Sequence, residues 1–200
     1  MNTNFPALET LRLYLRTLEQ NDFEFFYRHF SEPQINRYLL DEDPITSLEQ
    51  AQEILNFYVT GQLTDKTYTR WVLVTKADRQ PIGTCGFHKW SHRNHRAEIG
   101  YDLTPSAWRQ GYMHEALSVM LKFGFEQMEL NRVEALVYPE NIASLRLLEK
   151  LHFQKEGLLR GYFWQNHQFH DHWLLSLLKN GRHHICKFNA AHLVVLVVDF

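Results

Sequence analysis

The chain has 200 residues, of which 44% are hydrophobic and 22% charged, and its formal net charge is -2. That length suits one domain with a sizeable core, and the near-neutral balance excludes the broad basic field of a general nucleic-acid binder. Cys85 and Cys186 make no disulfide framework, Met1–Pro6 shows no secretory-signal pattern, and the apolar run Leu193–Val198 is too short to span a bilayer, so a cytoplasmic chain with no membrane partner is expected.

In chain order, Leu11, Leu13 and Leu15 alternate with Arg12, Tyr14 and Arg16, which predicts a half-buried strand. Phe23 to Phe30 reads as a helix, with Phe23, Phe26, Tyr27 and Phe30 on one face. A Pro-bearing loop, Ser31 to Pro44, follows. Thr46-Ser47-Leu48-Glu49 has the form of a capping box and predicts a helix to about Val59, with Gly61 as its C-terminal cap. Arg70–Thr75, Ile82–His88 and Ala97–Leu103 read as three strands separated by the turns Ala77–Pro81 and Ser91–Arg96. Tyr112 to Met128 is a helix, with Ala116, Met120, Phe123 and Gln127 down one side and Leu117, Leu121 and Phe125 beside them. Arg132 to Tyr138 is a strand, and Asn141 is placed to cap a helix running to Leu151. Phe153–Leu158 and Phe169–Leu178 read as two late strands. An antiparallel meander followed by a crossover unit is a mixed α+β single domain.

The segment around Gly111 carries the chemistry. A strand ends, a short loop holds a glycine, and a helix begins. The loop amides and the free amides of the first helical turn face one space, at the positive end of the helix dipole. Such a site holds an anion, and a diphosphate fits it. Gly111 allows close backbone approach. Each charged hydrogen bond contributes roughly 1.5–3 kcal/mol. Taken alone, a glycine before a helix is more often an ordinary turn.

Its company makes the reading specific. Glu98-Ile99-Gly100-Tyr101, Trp108 to Ala116, Leu130 to Ala135, Asn141-Ile142-Ala143-Ser144, Leu148 to Phe153, Glu156-Gly157, Leu159-Arg160 and His170-Asp171-His172 occur in that order. The set resembles the GNAT acetyltransferase superfamily, and within it the Rim-type branch that acetylates protein N-termini. Leu11-Arg12-Leu13 with Arg16 is similar to that branch too. The resemblance covers residues 8–179 and leaves 180–200 as a C-terminal extension with no assigned role. It implies a mostly antiparallel mixed sheet with a splayed central strand pair and flanking helices. It implies that the amides of Arg109, Gln110, Gly111, Tyr112, Met113 and His114 bind the pyrophosphate of acetyl-CoA. The strand backbone at Tyr101, Asp102 and Leu103 would pair with the pantetheine arm, and Tyr101 or a neighbour would supply an oxyanion amide. Asn141 matches a cofactor-contacting asparagine, and Ser144 a residue near the thioester sulfur. The chain departs from the pattern at Trp108, where Gln or Arg often stands, at the bulky Met113, at His152 in place of a glycine, and at Leu148, where many members carry an acid tyrosine.

Aminolysis of a thioester requires a neutral amine. An α-amine with a pKa near ~8 is roughly a tenth neutral at pH 7, whereas a lysine amine near ~10.4 is neutral only to about a few parts in ten thousand. An N-terminal acceptor therefore asks less of the protein. Glu98 is the candidate base, directly or through water, the alternative being a solvated strand carboxylate. Ser144 is the candidate donor to the leaving thiolate, the alternative being an ordinary first-turn serine. A small-molecule amine acceptor (polyamine, amino sugar or antibiotic) and a non-catalytic acetyl-CoA-binding module are the competing functions. His167, His170 and His172 with Asp171, and His88, His92 and His95, have spacings that permit a metal. Positions in a cleft or on the surface are expected instead, with no metal. The aromatics Phe23 to Phe30, Tyr38, Trp90 and Tyr162 to Trp164 supply core and acceptor pocket in proportions the sequence leaves open. A monomer or a homodimer is expected.

Overall fold

The computed structural model describes residues 5–39, 45–64, 68–165 and 167–180. The opening alternation builds β2 (Leu13–Thr17), which pairs with β1 (Leu8–Glu9) in the register Leu8↔Leu15. Leu13 and Leu15 are fully buried. Leu11 is 81% exposed in the bend between the strands, so the strand begins two residues later than the alternation suggested. Arg16 then grips the buried carboxylate of Asp22 through two hydrogen bonds, of 2.7 and 2.6 Å, at the entry to α1 (Phe23–Phe30).

The buried face of α1 is Phe25, Phe26, His29 and Phe30, with Phe23 and Tyr27 only partly covered. It is turned from the expected face because the helix packs on both the sheet and α3 (Leu48–Thr64). A short α2 (Pro33–Asn36), unforeseen in the sequence, starts on a proline that needs no amide partner there. The capping box of α3 is shifted by one residue: the Ser47 hydroxyl accepts from the Gln50 amide at 3.1 Å, while the Gln50 side chain accepts from the Thr46 amide at 3.0 Å. The helix runs through Gly61 to Thr64, so Gly61 is not its cap.

β3 (Thr69–Thr75), β4 (Pro81–Ser91) and β5 (Arg96–Leu103) continue the meander. α4 (Tyr112–Glu126) crosses over to β6 (Arg132–Val137), and α5 (Ile142–Lys150) leads to the hairpin of β7 (Gln154–Gln165) and β8 (Gln168–Leu178). Gln127 lies exposed beyond the end of α4 and is not part of its packed face. Among the described residues the eight strands form one sheet, ordered β1-β2-β3-β4-β5-β6-β8-β7. Every neighbouring pair is antiparallel except β5 and β6.

Each face of the sheet has its own core. Ala116, Leu117, Met120, Leu121 and Phe125 of α4 and Leu148 of α5 pack on Leu13, Leu15, Trp71, Phe87 and Ile99. Phe26 and Phe30 of α1 and Ala51 and Leu55 of α3 pack on Val72 and Val74 from the other side. Each fully buried Leu, Val or Phe contributes roughly 1.5–3 kcal/mol. Strict alternation along β2 to β5 feeds both cores and sets which side chains reach which face. The extension assigned to 180–200 lies, apart from Asn180, outside the described residues, as does Cys186.

Candidate active site

β5 and β6 run parallel only through Arg96↔Arg132, Ala97↔Val133 and Glu98↔Glu134. Beyond Glu98 the strands part: β6 stays paired with β8 along its other edge from Arg132↔Leu178 to Val137↔Trp173, while its pairing with β5 stops at Glu134. The β5 backbone from Ile99 onward is therefore left without a ladder partner on that side, and an extended ligand can pair there as an added strand. A cleft of about 410 Å3 opens in this splay, lined by Ile99, Gly100 and Tyr101 on one arm and Ala135 to Tyr138 on the other. Glu98, Tyr101, Asn141 and Ser144, all named from the sequence, line it together. Asp102, Leu103 and the loop Arg109 to His114 are not in its lining; the loop begins where β5 ends, along the same free edge.

Alternation divides the site by face. Tyr101 points toward α4 and α5, and its hydroxyl lies 2.7 Å from Ser144 Oγ. Burial pushes the Tyr101 phenol up from its ordinary value, against a smaller opposing effect of Ser144, so the phenol stays protonated. Asn141 caps α5 as expected, its Oδ1 accepting from the Ser144 amide at 3.1 Å, and so fixes where Ser144 stands. Leu148, where an acid tyrosine was missing, is fully buried in the core.

Glu98 points the other way, toward α1 and α3. Its Oε2 lies 3.0 Å from Lys89 Nζ and 3.5 Å from His88 Nε2. Burial raises its carboxyl, but hydrogen bonds and charge from His88 and Lys89 outweigh this and hold it below the usual carboxylate range. Glu98 is thus ionised at neutral pH and already partnered, not a solvated strand carboxylate. Lys89 reaches it from a β-bulge: its φ is 50°, and the β4–β5 register breaks between His88 and Ser91.

Asp102 shares the Glu98 face but is spent on structure. His29 Nε2 lies 2.6 Å away, the Thr84 amide and hydroxyl donate at 2.9 and 2.6 Å, and Arg70 Nη2 at 3.4 Å. Its side chain is therefore closed to a ligand. The Leu103 carbonyl likewise accepts from the Trp108 indole at 2.6 Å, which gives Trp108 a role in closing the end of the strand.

At the loop, Arg109 (φ 60°) and Gly111 (φ 83°) are both left-handed, and Gly111 precedes the first turn of α4 without a side-chain cap. Glu115 is the residue whose amide finds the Gly111 carbonyl, so the amides of Tyr112, Met113 and His114 lie ahead of the helical ladder. Met113 turns its side chain into the core, which removes the crowding its size suggested. Burial, with the nearby charges of Lys150 and His152, pushes His114 down from its ordinary value. His152 adopts φ 66° in place of a glycine.

The sequence missed the brace behind this loop. Glu115 accepts from Arg12 Nε at 2.7 Å, from the Arg12 amide at 2.8 Å and from the Thr10 hydroxyl at 2.5 Å. Arg12 Nη1 donates to the Gln110 carbonyl at 3.0 Å, and its guanidinium lies 4.4 Å from the Tyr112 ring centre. The histidines disperse: His92 stacks on Trp90, His95 bonds the Glu129 carbonyl and Asp171 accepts from the Gly161 amide. Among the described residues no three His, Cys, Asp or Glu side chains form a metal-binding group.

Residues 12–154 match the model of the acetyltransferase (GNAT) domain. The sequence is 38% identical over 175 residues to the uncharacterized N-acetyltransferase YoaA of Bacillus subtilis (strain 168), an alignment covering 88% of this chain and 98% of that one. The fold is similar to that of Mycobacterium smegmatis RimJ in complex with CoA-disulfide, with a TM-score of 0.79 at 21% identity over 87% of this chain and 88% of that one. It is also similar to spermidine N-acetyltransferase from Vibrio cholerae in complex with CoA and spermine, with a TM-score of 0.75 at 24% identity over 85% of this chain and 97% of that one.

Proposed function

The chain belongs to the GNAT acetyltransferase family and is an acetyl-CoA-dependent N-acetyltransferase, and we propose that its acceptor is the α-amine at the N-terminus of a protein or peptide. The charge of the cleft supports this reading. Among its described lining residues Glu98 is the one carboxylate and is paired with Lys89, while Arg70, also in the lining, is paired with the buried Asp102. A polyamine would bring several positive charges to a wall with no carboxylate left over for them. A peptide terminus brings one amine, and that amine is neutral at pH 7 far more often than a lysine side chain.

In this mechanism the loop amides from Arg109 to His114 hold the pyrophosphate of acetyl-CoA, and the free edge of β5 at Tyr101, Asp102 and Leu103 pairs with its pantetheine arm. A β5 amide stabilises the oxyanion, with Asn141 beside the cofactor. Glu98 supplies the carboxylate of the base that removes the proton from the incoming amine, directly or through a neighbouring group. Ser144, backed by the Tyr101 phenol, protonates the departing sulfur. The reading places the enzyme in a reducing cytoplasm, in keeping with Cys85 as a buried free thiol.

The test is kcat/KM for acetyl-CoA turnover across N-terminally free peptides, the same peptides with blocked termini and one internal lysine, spermidine, and an amino sugar. Free-terminus peptides are expected to exceed every other class by at least about tenfold. Preference for spermidine or the amino sugar would replace the acceptor assignment. Acetyl-CoA binding with no CoA release from any amine would instead mark a binding module.

A further inference from the structure

We infer that His88 is the group that takes the proton from the acceptor amine, with Glu98 as its positioning residue. Glu98, Gly100 and Asp102 share one face of β5, and the antiparallel register sets His88 opposite Glu98 and Gly86 opposite Gly100. The His88 ring leans along this face over Gly100: a Cβ at Gly100 would lie 3.3 Å from His88 Cε1 and 3.5 Å from Nδ1. The glycine makes room for the imidazole directly above the strand whose free edge faces the splay.

The two ring nitrogens have different surroundings. Nε2 is turned to Glu98 Oε2 at 3.5 Å, while Nδ1 is on the Gly100 side. A proton gained at Nδ1 is balanced by the Glu98 charge at Nε2, the arrangement by which a carboxylate orients a histidine base. Glu98 itself is a poor direct acceptor, because Lys89 Nζ sits 3.0 Å from the same oxygen and the carboxyl is held ionised. The other charged lining groups are Lys89 and Arg70, and Arg70 is engaged by Asp102 and the Thr84 hydroxyl. The Tyr101 phenol belongs to the opposite face, with Ser144.

The step balances as follows. The ammonium proton passes to His88 and from there to water. The freed lone pair on nitrogen forms the C–N bond to the thioester carbonyl carbon. The C–S bond breaks with its electrons on sulfur, which takes a proton from Ser144. The second proton shed by the nitrogen restores Ser144 through water.

This assignment rests on amine acetylation and not on the acceptor being a protein N-terminus, so the assay uses whichever amine the wild-type enzyme turns over fastest. His88→Ala is expected to lower kcat/KM about 100-fold with acetyl-CoA affinity unchanged, and added imidazole is expected to restore part of the loss. Glu98→Gln is expected to cost about tenfold in kcat with KM for the amine nearly unchanged, because the imidazole loses the carboxylate that orients it. His88→Gln keeps the ring's volume and polarity, and the same 100-fold loss is expected there. Wild-type kcat/KM in both His88 variants would overturn the assignment. So would a loss that imidazole does not restore, or a Glu98→Gln loss larger than that of His88→Ala, which would return the proton to Glu98 through water.

Discussion

Tyr101 and Ser144 come from different elements, yet their hydroxyls meet at 2.7 Å inside the splay. Ser144 was legible through the resemblance, which matched it to a residue near the thioester sulfur, and the Asn141 cap fixes it at the third helical position. The Tyr101 side chain was not, because the resemblance gave that position only a backbone role, and the pairing joins residues 43 apart in sequence. Leu148 is buried in the core, and the phenol beside Ser144 comes from β5 instead. If the pair protonates the leaving sulfur, Ser144→Ala lowers kcat by about 10- to 100-fold and leaves KM for acetyl-CoA near the wild-type value. Tyr101→Phe costs less, and the double variant is no worse than Ser144→Ala, because the two hydroxyls act as one unit. Steady-state kinetics on the three variants check this, and independent, multiplying losses would contradict it.

The loop before α4 shows what a sequence can and cannot say about an element. The glycine, the strand before it and the amphipathic helix after it marked the loop as a candidate anion site, since all three are local signals. The brace behind it is not local. Arg12 was noted only as part of a familiar string, and its partners Gln110 and Glu115 lie about a hundred residues away. An ion pair this exposed adds little to global stability; its effect is to hold the Gln110 carbonyl and the first turn of α4 in place. Arg12→Ala is therefore expected to raise KM for acetyl-CoA about five- to tenfold with kcat nearly unchanged, roughly the worth of one ordinary hydrogen bond. Calorimetric titration with CoA measures it, and an unaltered affinity would show that the loop holds its shape without the brace. Two positions depart from expectation: α3 carries Gly61 within its length, and His152 accepts the left-handed turn after α5.

At the scale of the molecule, the two cores follow from alternation along β2 to β5, and the order of helices and strands was readable from periodicity. The splay was foreseen through resemblance alone. No periodic pattern reports that β6 parts from β5 after three register pairs while staying paired with β8 on its other edge. Nor does any pattern report the buried charged network that joins α1, β3, β4 and β5. His29 was read past as one polar residue in an aromatic helix, yet it and Asp102 are nearly inaccessible, at 3% and 7% exposure. Burial raises the Asp102 carboxyl, but His29, Arg70 and Thr84 outweigh it and hold the carboxyl below the usual carboxylate range. A depressed folded-state pKa means stabilisation that is fully present above the ordinary carboxylate value of 3.8 and is lost as pH falls through the folded value. Removing one member of such a network leaves the others buried without their counter-charge. Asp102→Asn is thus expected to destabilise the domain by about 3–5 kcal/mol at pH 7, a fall in Tm of roughly 10 °C for a chain of this size. The gap between wild type and variant should narrow in melts below about pH 4, because the wild-type carboxylate is then losing the charge that the variant never had. A gap of equal size at pH 3 and pH 7 would assign the network's contribution to shape and neutral hydrogen bonding instead. The same network ties β5 to α1 through His29 and Asp102, and Phe30 at the end of α1 lines the cleft.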